Sequence, residues 1–191
     1  MKLIQFITCM AVAVVCNAQA QNVNPILSIE GGKVQGVTCE SANVLVYKGI
    51  PYAAPPVGEL RWKKPQPVTP WDTVLVANDF RNASMQAAHD PNDGGYGTEF
   101  FATDAPFSED CLYLNIWTPK NATGNTSAKL PVAMWIHGGA YTGGWSFEPE
   151  MDGEAWAERG VILVTINYRL GVFGFLHHPL LTEAGGGISG N

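Results

Sequence analysis

The sequence has 191 residues, of which 46% are hydrophobic and 15% are charged, and its formal net charge is −6. This composition is that of a globular protein with a buried core, and it excludes a disordered chain. Because the chain is acidic and has no lysine or arginine cluster, it is poorly suited to bind phosphate backbones, and we expect no nucleic-acid partner.

Residues 1–20 have the three parts of a signal peptide. Lys2 gives a positive start, residues 3–15 are mainly apolar, and small residues stand at Ala18 and Ala20. The apolar run is too short to form a stable membrane anchor. We therefore expect cleavage at the end of this segment and a secreted or periplasmic protein.

The four cysteines are divided between the signal peptide and the exported part. Cleavage would remove Cys9 and Cys16, and a lipoprotein signal that uses Cys16 is the weaker alternative because the preceding residue is not small. Cys39 and Cys111 remain, and their spacing alone does not decide whether they pair. No Cys/His cluster has metal-ligand spacing, so we expect no metal and no cofactor.

Short strands separated by turns begin the exported part, and they predict an antiparallel ribbon at the edge of the domain. The strand pattern covers residues 26–30, 33–38 and 44–47. Residues 48–62 contain three prolines and two glycines, which predicts an ordered loop without regular structure. Residues 65–108 are also predicted to be irregular, with the polar segment 90–97 as the most mobile part.

The second half has the pattern of an open α/β sheet. The predicted elements are a strand over 112–117, a polar hairpin over 121–129, a strand over 132–136, a helix over 148–159, a strand over 161–166 and an aromatic loop over 167–176. Because residues 132–136 are all apolar, we expect that strand to be covered on both faces. The sheet would leave a long apolar edge, so we expect this chain to be part of a longer domain.

A pair of glycines directly follows the apolar strand 132–136. The segment His137-Gly138-Gly139-Ala140 permits backbone angles that other residues avoid, and it leaves main-chain N–H groups accessible. At the C-terminal edge of a parallel sheet, such groups can hold a developing negative oxygen, as in the oxyanion element of lipases and esterases. A plain turn after a strand is the alternative.

Four blocks occur in a fixed order along the exported part. They are Lys48 to Trp62 with Gly-Ile-Pro-Tyr-Ala and Leu-Arg-Trp, Glu109 to Trp117 with Glu-Asp-Cys-Leu-Tyr-Leu-Asn, His137 to Tyr141, and Asn167 to Leu176. Together they resemble the type-B carboxylesterase/lipase family, which includes the cholinesterases. The resemblance implies an incomplete α/β-hydrolase fold, with the N-terminal ribbon and the first strands of a mostly parallel sheet. It also implies hydrolysis of small carboxylic esters by a Ser nucleophile, a His base and a Glu.

By position in that family, Gly139 and Ala140 would supply two oxyanion-hole N–H groups, and Gly138 would permit the turn. The residue after the nucleophile would supply a third group, and Ala140 stands where many relatives have a third glycine. The sequence contains no Gly-x-Ser-x-Gly motif, and no Glu or His matches a catalytic position. Residues 21–191 are therefore interpreted as a carboxylesterase domain that stops before its nucleophile, with no triad residue assigned.

The resemblance also implies structural features outside the turn. Arg61 and Glu109 would form an ion pair that ties the proline-rich loop to the core. Ser84 stands where relatives have the cysteine that would pair with Cys111, so we expect Cys39 and Cys111 to be free or buried thiols. Two alternatives to an active hydrolase remain, namely a binding or adhesion relative that lacks the nucleophile, and an inert fragment.

Overall fold

The computed structural model describes residues 24–88, 105–187 and 189. These residues form a mixed sheet of seven strands and a small second sheet of two strands. No helix within these ranges is long and apolar enough to cross a membrane. The predicted signal peptide and the polar segment 90–97 lie outside the described residues.

The N-terminal ribbon has the antiparallel arrangement that the sequence predicts. It consists of β1 (Ile26–Ile29), β2 (Gly32–Thr38) and β3 (Val44–Pro51). β3 continues four residues beyond the predicted strand, into the segment expected to be irregular. Gly49 has a positive φ of 68° beside a shift in the register with the next strand, and Pro51 is the last residue of β3. A bulge and a terminal proline are both compatible with a strand, which the proline count alone does not show.

Three short strands lie in the region that was predicted to be irregular, so that prediction is wrong at these positions. They are β4 (Val74–Ala77), β5 (Ala83–Ser84) and β6 (Phe107–Ser108). β4 pairs in parallel with β2, while β5 and β6 form the two-stranded sheet. Such short strands depend on distant pairing partners, and a local sequence pattern does not reveal them.

The rest of the large sheet follows the order β3, β7, β9 and β8. These strands are β7 (Tyr113–Pro119), β8 (Val132–Ile136) and β9 (Ile162–Ile166). β7 is antiparallel to both β3 and β9, and β8 is parallel to β9. The described sheet is therefore mixed, with the predicted antiparallel ribbon at one end and the parallel pair β8 and β9 at the other.

Short helices connect and flank these strands. The described α-helices are α1 (Glu154–Glu158), α2 (Gly171–Phe175) and α3 (Pro179–Ala184), and 3-10 helices lie at Gly58–Leu60, Lys120–Ala122 and Pro149–Met151. The predicted helix 148–159 is thus divided into two, because Asp152 and Gly153 interrupt it. The predicted loop 167–176 contains α2, and the predicted hairpin 121–129 begins inside a 3-10 turn.

The strand that is covered on both faces is β3 and not β8. Alternate residues of β3 pack into two different hydrophobic clusters, with Leu45 in one and Val44 and Val46 in the other. Trp117 of β7 and Ala157 of α1 complete the second cluster. β3 is therefore the central strand of the described core.

β8 lies at the edge of the described sheet, so the prediction that it is covered on both faces is wrong for the chain as described. Val132, Met134 and Ile136 are 62%, 61% and 59% exposed, whereas Ala133 and Trp135 pack against the core. Apolar residues show that a strand favours burial, but they do not show that a covering element is present.

Candidate active site

The glycine turn begins at the C-terminal end of β8 with strained backbone angles. Gly139, Ala140 and Tyr141 have consecutive positive φ values of 99°, 52° and 63°. A left-handed backbone costs a residue with a side chain about 1–2 kcal/mol, and two of these three residues have side chains. Such strain persists only where the surrounding structure imposes it, and it is concentrated at functional sites.

Hydrogen bonds to two of its main-chain carbonyl oxygens hold this turn. The carbonyl oxygen of Gly139 accepts from the N–H groups of Thr142 and Gly143 at 3.0 and 3.1 Å and from the Thr142 hydroxyl at 3.1 Å. The N–H of Gly171, at the start of α2, donates to the Tyr141 carbonyl at 2.7 Å. A Cβ on Gly139 would lie 2.1 Å from the Gly143 carbonyl oxygen. Only glycine therefore fits at position 139.

The N–H groups of Gly139 and Ala140 donate no hydrogen bond to any residue in the described ranges. The turn borders an open cleft of about 510 Å³. Its lining comes from Ile136, His137, Gly138, Ala140, Tyr141, Tyr168 and Phe175. Of the two residues that the sequence assigns to the oxyanion hole, Ala140 lines this cleft, and Gly139 directly precedes it in the turn.

Gly138 differs in backbone conformation from the three residues that follow it. Its φ lies outside the left-handed region, and a Cβ added to it would meet no atom within 4 Å. The residues that adopt unusual angles are the three that follow it. A glycine is therefore not required at position 138 for the geometry of the turn.

His137 lies behind the turn and is 2% exposed. Its ring stacks on Tyr168 at a centroid distance of 4.4 Å, and the Tyr168 hydroxyl donates to the His137 carbonyl at 2.7 Å. Burial lowers the pKa of His137, so the ring is neutral at neutral pH. Nδ1 then donates its proton to the Gly138 carbonyl oxygen at 2.9 Å. Nε2 has no partner among the described residues.

A buried network of amide and hydroxyl groups fixes the chain that follows the turn. The Asn115 amide accepts from the Gly49 N–H at 2.8 Å and donates to the hydroxyls of Ser146 and Thr165 at 3.0 Å each. The Asn167 amide accepts from the Ser146 N–H at 2.7 Å and donates to the Asn82 carbonyl at 3.0 Å.

Asn115 and Asn167 are only 2% and 1% exposed, so their hydrogen bonds are strongly stabilising. Both residues lie in the family blocks, but the sequence pattern predicts no role for either. An asparagine within an apolar strand was the available signal, because a buried amide needs partners.

Arg61 and Glu109 lie in direct contact. Two parallel hydrogen bonds join them, from Nε to Oε2 and from Nη2 to Oε1, each at 2.5 Å. The Arg61 and Glu109 side chains are 39% and 19% exposed, so solvent screens the pair and its loss would cost less than the loss of a buried pair. The pair links the proline-rich loop to the segment before β7.

Cys39 and Cys111 are both unpaired, which confirms the expectation of two thiols. Burial raises the pKa of Cys111 to about 11 and that of Cys39 to about 12. Both groups are therefore protonated and unreactive at neutral pH. The described ranges contain no cluster of three or more His, Cys, Asp or Glu residues that could hold a metal ion.

The sheet, its β8–β9 crossover and the turn form an incomplete α/β-hydrolase fold. The structure resembles solved carboxylesterases. A PNB esterase aligns with a TM-score of 0.73 and 39% identity over 88% of this chain and 32% of its own chain. The carboxylesterase of Geobacillus stearothermophilus aligns with a TM-score of 0.67 and 40% identity, over 84% of this chain and 30% of its own.

The model of the carboxylesterase family matches residues 23–187, and the chain belongs to that family. It is 39% identical over 182 residues to the fumonisin B1 esterase of Sphingopyxis macrogoltabida, covering 95% of this chain and 31% of that protein. It is 44% identical over 161 residues to the para-nitrobenzyl esterase of Bacillus subtilis, covering 83% and 30%. With the cholinesterase of Mus musculus it shares 39% over 171 residues, covering 85% and 27%. The chain therefore spans less than a third of the length of these relatives.

Proposed function

We propose that this chain is the N-terminal part of an exported carboxylic ester hydrolase, and that Gly139 and Ala140 supply two N–H groups of its oxyanion hole. One observation carries the proposal. Ala140 has a left-handed backbone and lines an open cleft, and the N–H groups of Gly139 and Ala140 have no partner among the described residues, while the carbonyl of Gly139 accepts three hydrogen bonds. The named esterases among the relatives support the same reaction class.

In this reaction a serine hydroxyl attacks the ester carbonyl carbon and a histidine takes the proton. The carbonyl oxygen becomes an anion, and the two N–H groups donate to it more strongly than to the neutral ester. Each such donor contributes roughly 3 kcal/mol to transition-state stabilisation. The histidine then returns the proton to the leaving alcohol, and water releases the acid from the acyl-enzyme. We expect the Ser, Glu and His downstream of the 191-residue sequence.

The walls of the cleft favour an ester with an apolar part. Its lining includes the rings of Tyr141 and Phe175, whose centroids lie 4.7 Å apart, and the stacked pair of His137 and Tyr168. Aromatic walls exclude water and stabilise a bound apolar group through the area they bury. Export follows from the predicted signal peptide at residues 1–20.

The decisive experiment removes one N–H without changing the side chain. In the product of the complete reading frame, Ala140 is replaced by lactic acid, which converts its amide into an ester and deletes the donor. We expect kcat on a para-nitrophenyl ester to fall by about 10²–10³-fold with little change in KM. The same exchange at Ala133 of β8, away from the turn, is the matched control. Unchanged kcat in the Ala140 variant would refute the assignment.

A second measurement separates the hydrolase from its two alternatives. The 191-residue chain alone is expected to show no hydrolysis of the same ester, because the nucleophile is expected elsewhere. Turnover by this chain that is lost on the Ala140 exchange would show that the triad has been misplaced. A complete product that folds, binds ligands and never turns over an ester would favour the binding or adhesion relative.

A further inference from the structure

One side chain outside the turn fixes both polar groups of a residue just beyond it. The Gln86 Oε1 atom accepts from the N–H of Gly144 at 2.9 Å, and its Nε2 atom donates to the Gly144 carbonyl at 3.0 Å. The same Nε2 also donates to the Ser84 carbonyl at 3.0 Å. The Gln86 amide thus pairs with Gly144 as a neighbouring strand would, and it fixes both the position and the direction of that residue.

Gly144 has no room to move on its other side. Its φ is +99°, and an added Cβ would lie 2.5 Å from the His137 Nδ1 atom and 2.9 Å from the Gly138 carbonyl oxygen. Gly144 is therefore held between Gln86 and the residues at the start of the turn. A shift of Gln86 would move Gly144 against His137 and Gly138, which both line the cleft.

Gly143 connects the contact between Gln86 and Gly144 to the proposed oxyanion donors. The N–H of Gly143 donates to the Gly139 carbonyl at 3.1 Å, and a Cβ on Gly139 would lie 2.1 Å from the Gly143 carbonyl oxygen. The peptide that carries the Ala140 N–H is the one whose carbonyl belongs to Gly139. The orientation of that N–H therefore depends on where Gly143 and Gly144 are held.

We infer that Gln86 is a positioning residue for the oxyanion turn, an inference that rests on the proposed function for its catalytic meaning. Gln86 is absent from the lining of the cleft that borders the turn, and it acts through Gly144. The turn needs such a restraint, because two residues with side chains stay in the left-handed region only when their surroundings hold them there.

The test replaces Gln86 by Glu, which keeps the shape and makes the donor depend on pH. The carboxylate of the Gln86→Glu variant would face the carbonyl oxygens of Ser84 and Gly144 without a proton to donate, and this raises its pKa above the ordinary value. In the 191-residue chain we expect the amide NMR signals of Gly139 and Ala140 to be displaced at about pH 7.5 and to return toward wild type at about pH 4.5.

Two further variants make that result specific. Gln86→Met loses all three hydrogen bonds at every pH, so its displaced signals must not return on acidification. Gln66→Glu is the matched control, because Gln66 is exposed and, among the described residues, its side chain donates only to the Lys64 carbonyl, at 2.8 Å. Signals of Gly139 and Ala140 that stay at their wild-type positions in both Gln86 variants would overturn the inference.

Turnover distinguishes this inference from the proposed function. In the complete gene product, the Gln86→Glu variant should lower kcat by about tenfold to a hundredfold with KM nearly unchanged, since misplaced donors weaken binding of the transition state. If the amide signals move and kcat does not, the positioning role is wrong and the hydrolase assignment stands. If wild type never hydrolyses an ester, the proposed function fails, and the amide signals still report whether Gln86 holds the turn.

Discussion

Residues 138–142 and residues 144–146 are close neighbours in the chain, but they differ in solvent exposure and in the hydrogen bonds of their N–H groups. Gly138 and residues 140–142 are exposed, whereas residues 144–146 are buried. In the buried segment the Gln86 amide engages both polar groups of Gly144, and Asn167 accepts the Ser146 N–H. In the exposed segment the N–H groups of Gly139 and Ala140 have no partner in the described chain.

The difference shows how a protein can leave N–H groups without internal partners and still fix their orientation. An unbonded N–H is tolerated at a solvent-filled cleft, where water can satisfy it, but it is costly in a core. The strained angles of residues 139–141 would relax if nothing held them. The hydrogen bonds of the buried segment supply that restraint, so the geometry of the exposed segment depends on the buried one.

The largest expected effect comes from Gly139→Ala. The new Cβ would lie 2.1 Å from the Gly143 carbonyl oxygen at a φ of +99°, so the turn must shift and both donors move. Losing one aligned donor costs about 10²–10³ in kcat, and we expect at least that loss in the complete enzyme, measured with a para-nitrophenyl ester.

Gly138→Ala is the matched control for this change. Its Cβ would meet no atom of the described residues within 4 Å at an ordinary φ, so the turn need not shift. Because Gly138 also lines the cleft, we expect any loss to appear in KM, with kcat within about threefold of wild type. Equal losses in the two variants would mean that the turn responds to any side chain, and the comparison between the segments would lose its basis.

A change in the buried network should lower stability instead. Asn115→Leu leaves three partners unsatisfied in the core, namely the Gly49 N–H and the hydroxyls of Ser146 and Thr165. We expect the free energy of unfolding to fall by at least about 3 kcal/mol, because each of the three unsatisfied groups costs about 1–3 kcal/mol. Urea unfolding of the 191-residue chain, followed by tryptophan fluorescence, measures it.

The control is Asn121→Leu, at an exposed asparagine in the Lys120–Ala122 turn. There we expect a change within about 0.5 kcal/mol. If both variants lose stability equally, the network of Asn115 is not what fixes residues 144–146, and another restraint must be sought.

The same contrast explains what the sequence could predict. Glycines after an apolar strand identify the turn, because few other residues tolerate those angles and bare amides have few other uses. The four family blocks then identify the fold, and each block contributes to the site: Gly49, Asn115, His137 and Asn167 all take part in it. These features are local, or they follow from residue types with narrow requirements.

What the sequence could not predict depends on distant partners. β8 was wrongly predicted to be covered on both faces, because its five apolar residues do not indicate which elements lie against it. β4 was missed, because a four-residue strand is stabilised by pairing with β2, about 40 positions earlier in the chain. The role of Gln86 was not predicted, since a glutamine has no preferred partner until the fold brings Gly144 to it.

A smaller effect on stability is expected from a change in pH, through the buried ring of His137, which lies against Gly138 and Gly144. Burial lowers its pKa, so the folded chain binds fewer protons there than the unfolded chain, whose histidines titrate at about 6.5. The free energy of unfolding should therefore fall as the pH drops below about 6.5, and His137→Phe should weaken that dependence.

Glu148 gives the opposite trend and serves as the internal check on His137. Burial raises the pKa of Glu148, so the folded chain keeps a proton that the unfolded chain loses, and stability falls as the pH rises above about 4.5. Glu148→Gln should remove this second trend and leave that of His137 intact. A wild-type profile that is unchanged by His137→Phe would mean that folding does not lower the pKa of His137.

The smallest effect is expected at Ala140, although it lies at the centre of the proposed site. Ala140→Gly keeps the N–H and removes a methyl group from a residue at φ +52°. Relief of left-handed strain, about 1–2 kcal/mol, is largely offset by the greater freedom of glycine in the unfolded chain, about 0.5–1 kcal/mol. We expect stability and kcat to change little, while loss of the N–H alone removes most activity. A large drop in kcat for Ala140→Gly would show that the methyl group contacts the substrate, and the turn would then act through its side chain as well as its backbone.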